Sequence, residues 1–172
     1  MAVQDLTQMI DELRLLDSVG IPGMMSPKMK EGAKEFLGID FSLPNDYKDL
    51  ADSLTQIRDG LANMTADDFR YNKNLSPGTC ARYNPGSGKI ELGDRFFNSP
   101  LTGNDTKQGT LVHETAHKVL GVNMLFRSTA LIEKYDMEIL QNLPVNPTNK
   151  RAKHANSWEY FYEYVKNGGK LK

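Results

Sequence analysis

Five consecutive residues, His113-Glu114-Thr115-Ala116-His117, restrict what this chain can fold into more than any other stretch. They sit inside a segment, about Thr106 to Leu120, that reads as a helix stopped by Gly121. On a helix, positions i and i+4 lie one turn apart on the same face, so two imidazoles there can share one zinc ion at about 2.0–2.1 Å. Glu114, turned about 100° from His113, is placed to reach a water on such an ion instead of the ion itself. The pattern uses two of the chain's three histidines and outlines a hydrolytic site.

A catalytic zinc takes three protein ligands and leaves one position for water, so a third ligand is needed. No histidine follows His117 at short spacing, and Cys80 lies upstream in a loop. A downstream carboxylate is the better candidate. Thr129 to Leu143 reads as a helix offering Glu133, Asp136 and Glu138. With Asp136 at the origin of a helical wheel, Ile132, Ile139, Leu140 and Leu143 fall within about 60° of it, Glu133 marks the edge of that face, and Glu138 points away. A carboxylate centred on an apolar face is costly unless paired or metal-bound. Asp136 is therefore the expected ligand and Glu133 the alternate. An Asp136 that caps a loop or pairs with a Lys or Arg is the competing structural explanation.

The rest of the chain reads as scaffold. Leu6, Met9, Ile10, Leu13 and Leu16 form one helical stripe ended by Gly20 and Pro22. Leu50, Leu54, Ile57 and Leu61 form another, opened by Pro44, Asn45 and Asp46, and Pro27 to Leu37 predicts a shorter helix closed by Gly38. Residues 72–88 are rich in Gly, Pro, Asn and Ser and read as loop, with a short strand at Cys80 to Tyr83 and a hairpin turn at Asn84 to Gly88. Lys89-Ile90-Glu91-Leu92 alternates as a half-buried strand does, and Phe96-Phe97 follows it. Trp158, Tyr160, Phe161, Tyr162 and Tyr164 predict a C-terminal helix packed onto the domain, before a basic tail from Lys166.

At 172 residues, 39% hydrophobic and 25% charged, the composition is that of one soluble globular domain, and the elements above make it an α+β domain, 1–172, mostly helical with a small antiparallel hairpin. Residues 1–70 form its helical N-terminal part, and 71–165 its catalytic core. Lys and Arg number 21 against 22 Asp and Glu, so no global field favours nucleic acid or an anionic membrane as partner. One cysteine excludes an internal disulfide, which fits folding in a reducing cytosol. The N-terminus is acidic where a secretory signal would be basic, so the expectation is cytoplasmic synthesis without a signal peptide and, for an effector or toxin, a specialised export route.

Three blocks in order carry a resemblance. A strand-and-loop run (Ile90 to Leu92, Phe96-Phe97, Thr102 to Asp105) leads into Gly109 to His117, and the chain returns with His154-Ala155-Asn156-Ser157-Trp158-Glu159-Tyr160-Phe161. From about Ala81 to Phe161 the chain resembles the aspzincins, the deuterolysin and peptidyl-lysine metalloendopeptidase group. That resemblance implies a zincin-like fold, a Zn2+ cofactor and hydrolysis of protein or peptide substrates; the motif itself makes Glu114 the expected general base, and the effector or toxin reading adds an inhibitor or immunity protein as a further partner. It also implies a tyrosine near the metal, with Tyr135 and Tyr160 as candidates, and a substrate-facing set of Asn156, Glu159 and Tyr160.

The chain departs from the family pattern in its third-ligand block and in its acidic pair. With one cysteine and no visible signal, it also departs from the secreted, disulfide-bonded fungal members and looks more like an intracellularly made bacterial relative. The family's third ligand is an Asp in a G-T-x-D-x-x-Y-G block, of which Ser128-Thr129 and Tyr135 are fragments; Ile132 stands where the ligand would be, so Asp136 or Glu133 takes over. The family's acidic pair for a substrate lysine is reduced to Asn156 and Glu159, which predicts a weakened preference for a basic residue after the cut. The rival reading, motivated by the broken ligand block, is a zinc-bound binding module without turnover.

Overall fold

A computed structural model describes residues 1–19, 25–43, 45–122 and 151–171. The first apolar stripe forms α1 (Ala2–Val19). Pro27 opens α2 (Pro27–Gly32), which widens into a π-helical turn (Ala33–Leu37) and is closed by Gly38 in the left-handed conformation, φ 71°. The second stripe forms α3 (Asp46–Ala62). A one-turn helix (Ala66–Asp68) then leads into β1 (Phe69–Tyr71), followed by β2 (Ala81–Asn84) and β3 (Lys89–Leu92). Short α4 (Asp94–Asn98) precedes α5 (Lys107–Leu120), which carries the two histidines. A further one-turn helix (Arg151–Lys153) opens onto α6 (Ala155–Lys166).

The predicted hairpin is present and acquires a third strand. β2 pairs antiparallel with β3 from Ala81 opposite Leu92 to Asn84 opposite Lys89, while β1 pairs parallel with β3, Phe69 opposite Ile90, in the order β1-β3-β2. Phe96 and Phe97, which follow the strand as expected, lie in α4.

The alternation expected of β3 is corrected by burial, since Ile90 and Glu91 are both closed to solvent. Glu91 is tolerated there because donors surround it: Asn84 Nδ2 at 2.9 Å, Asn72 Nδ2 at 2.7 Å, Arg82 at 2.7 Å, and Arg70. The Asn84 amide first, with Asn72 and the two guanidinium groups, holds its pKa down to about 2 against the opposing effect of burial.

Leu6, Ile10 and Leu13 of α1, Leu50, Leu54 and Ile57 of α3, Val112 and Ala116 of α5, and Trp158, Phe161 and Val165 of α6 share one apolar cluster. Each fully buried Leu, Ile or Phe in such a cluster stabilises by about 1.5–3 kcal/mol. The helices read as an N-terminal part thus share their core with the catalytic part. α3 sits close on α5 because Gly60 lacks a side chain: a Cβ there would lie 2.8 Å from Val119 Cγ1 and 2.9 Å from Thr115 Cγ2. On the other side of α5 lies α6, whose Tyr162 hydroxyl donates to Asp5 at 2.8 Å and so joins the last helix to the first. Among the described residues no helix is long and apolar enough to cross a membrane.

Candidate active site

Both ends of α5 are fixed by hydrogen bonds. At the N-terminus the Thr106 hydroxyl accepts from Gly109 N–H at 2.9 Å, the usual device for a helix start. Glu163, arriving from α6 and closed to solvent, accepts from Thr106 N–H at 2.7 Å, Thr106 Oγ1–H at 2.8 Å and Asp105 N–H at 3.2 Å. Burial foremost, and the negative charge of Glu159, push the Glu163 pKa up to about 7 against the hydrogen bonds from Thr106. At the C-terminus Gly121 takes the left-handed conformation, φ 62°, which turns the chain back on the helix. The Val122 carbonyl then accepts from His117 Nδ1 at 2.7 Å.

The two imidazoles meet as the i, i+4 spacing predicts, with ring centroids 4.9 Å apart and Nε2 of one 3.2 Å from Nε2 of the other. A carbonyl oxygen can only accept, so His117 donates from Nδ1 and presents a lone pair at Nε2. His113 is set the same way: its Nδ1 lies 2.9 Å from Glu159 Oε2. Burial, reinforced by His113 beside it, lowers the His117 pKa to about 4, so this ring is neutral at physiological pH.

This donor set fits a zinc ion. Two ring nitrogens 3.2 Å apart are close enough to share one proton or, with that proton removed, one cation. Two nitrogens on a tetrahedral zinc stand about 3.3 Å apart. Among the described residues no group of three or more His, Cys, Asp or Glu completes such a site. Asp136, Glu133 and Tyr135 lie outside the described residues.

Glu114 is buried beside the pair, and its carboxylate accepts the backbone N–H of Tyr83 on edge strand β2. Burial is the main influence on its pKa and raises it, while His113 and the Tyr83 N–H act the other way. Of the residues expected to face substrate, Glu159 is turned onto His113, Tyr160 is buried with its ring 6.2 Å from Phe36, and Asn156 is half-buried in the first turn of α6. His154, the remaining histidine, holds the N-cap position of α6.

The residue that sequence reasoning missed is Glu163. Its signal was present, because Glu159 and Glu163 are four apart and share one face of a helix otherwise built of aromatic residues.

A helix bearing paired imidazoles and an adjoining buried carboxylate under an edge strand is, with this α+β fold, the arrangement that a zincin-type metallopeptidase requires. The comparisons narrow the class. A family model described as lysine-specific metallo-endopeptidase, the aspzincin family, matches residues 43–163. Among solved structures, a zinc peptidase from Grifola frondosa is similar, with a TM-score of 0.57 at 17% identity over 96% of this chain and 93% of that one. No curated protein matches the chain. The chain belongs to the aspzincin family and is a zinc-dependent metalloendopeptidase.

Proposed function

We propose that the chain cleaves peptide bonds with Glu114 as general base at a zinc site held by His113, His117 and a third carboxylate, Asp136 with Glu133 as the alternate. The observation that carries this reading is the pair of Nε2 atoms 3.2 Å apart, each on a ring whose Nδ1 faces an oxygen acceptor. When bound, zinc supplies Lewis acidity toward the scissile carbonyl and lowers the pKa of a water molecule toward 7. The chain's own groups do the rest. Glu114 accepts the proton of the attacking water and returns it to the leaving amine, and the Tyr83 N–H orients its carboxylate meanwhile. Tyr135 is the candidate donor to the oxygen that gains charge.

Glu114→Gln keeps the size of the side chain and both histidines while removing the base. Zinc content by elemental analysis is expected to be unchanged, while hydrolysis of a broad peptide library falls by about 10²-fold or more. A wild-type protein that carries full zinc and cleaves nothing in that library would favour the binding module over the peptidase.

A further inference from the structure

Glu159 stands at the position where the family resemblance puts a receptor for the substrate's basic side chain, and its surroundings give it other work. Its Oε2 lies 2.9 Å from His113 Nδ1, and its side chain is only 11% exposed. Its neighbours Trp158 and Tyr160 are buried in the core, so this turn of α6 is packed against the domain. One turn later Glu163 anchors the same helix to the N-terminus of α5 through three donors. α6 is thus held at two points along the helix that carries the histidines. A substrate ammonium needs acceptors open to the cleft, and Glu159 offers one oxygen already facing an imidazole. The position of its former acidic companion is Asn156, which adds no charge.

We propose that Glu159 is a positioning residue for His113, fixing the ring with Nδ1 toward the carboxylate and Nε2 toward the metal, and that it does not select a basic residue after the cleaved bond. A carboxylate behind a ligating imidazole sets its tautomer, restrains its rotation and makes the coordinating nitrogen a better donor. The inference rests on His113 being a zinc ligand, as proposed above.

The test is zinc affinity, measured by competition with a chromophoric chelator on wild type, Glu159→Gln and Glu159→Ala. Gln retains volume and one acceptor oxygen for the Nδ1–H, so it separates loss of charge from loss of the hydrogen bond and guards against simple unfolding. Affinity is expected to fall in the order wild type, Gln, Ala, with a total loss of about 10- to 100-fold. In zinc-free protein, nitrogen chemical shifts of His113 are expected to show the Nδ1–H tautomer in wild type and a mixture in Glu159→Ala. Cleavage-site profiling of a denatured proteome is expected to give the same proportion of Lys and Arg after the cut in wild type and Glu159→Gln. Equal zinc affinity in all three proteins, or a lost basic preference in Glu159→Gln at unchanged affinity, would overturn the proposal and restore the receptor role. A wild type that binds no zinc would instead remove the metal-site reading on which it stands.

Discussion

His113, Glu114 and His117 are legible in the sequence because their relation is local: four residues of helix fix the distance between the imidazoles whatever the rest of the chain does. The carboxylates packed against that helix are not, since Glu159 is 46 residues from His113 and Glu163 is 57 from Thr106, and only tertiary packing makes these contacts. A wheel drawn for α6 would have placed both carboxylates on one face, but nothing in α6 alone says which helix that face meets. Asp136→Ala is expected to lower zinc affinity by well over the roughly tenfold that loss of a supporting group costs, and Glu133→Ala to change it little, because only Asp136 is centred on the apolar face. Zinc titrations of the two variants check it, and equal or reversed losses would move the ligand to Glu133.

The long helices are readable from their stripes: α1 ends, α3 begins, and α5 both begins and ends close to the residues that signal it. β1 and α4 were not, for a physical reason: three and five residues are too few to display a period, and β1 exists only because β3, some twenty residues on, offers a parallel partner. The contact between α6 and the start of α5 has a pH signature. Because Glu163 holds its proton to about pH 7 in the fold, against 4.5 ordinarily, the folded state binds the extra proton between those values. Its contribution to stability is therefore complete below pH 4.5 and is lost as pH rises through about 7. Glu163→Gln, which does not titrate, is expected to show a flatter decline in Tm between pH 5 and 8 than wild type by scanning calorimetry. Parallel curves for the two proteins would show that Glu163 keeps an ordinary carboxylate pKa.

Across the whole molecule, zinc is expected to act as a tie between elements, since the ligands proposed for it lie on α5 and on the segment that follows it in the chain. Ligand binding to the folded state alone stabilises by mass action, about 4 kcal/mol when free zinc exceeds its dissociation constant 1,000-fold. Calorimetry with and without chelator should show a clear drop in Tm on chelation, and an unchanged midpoint would remove zinc as a structural tie. The hydrogen bond from Tyr162 to Asp5 spans 157 positions, and α6 closes the core at α1 as well as at α5. Its consequence lies in the order of events during translation. The histidines leave the ribosome well before the helix that orients His113 and anchors α5, at synthesis rates of about 5–20 residues per second, so for some seconds the nascent chain holds the motif without its support. The histidine pair and the start of α5 therefore gain the contacts of Glu159 and Glu163 only once α6 has been made and packed.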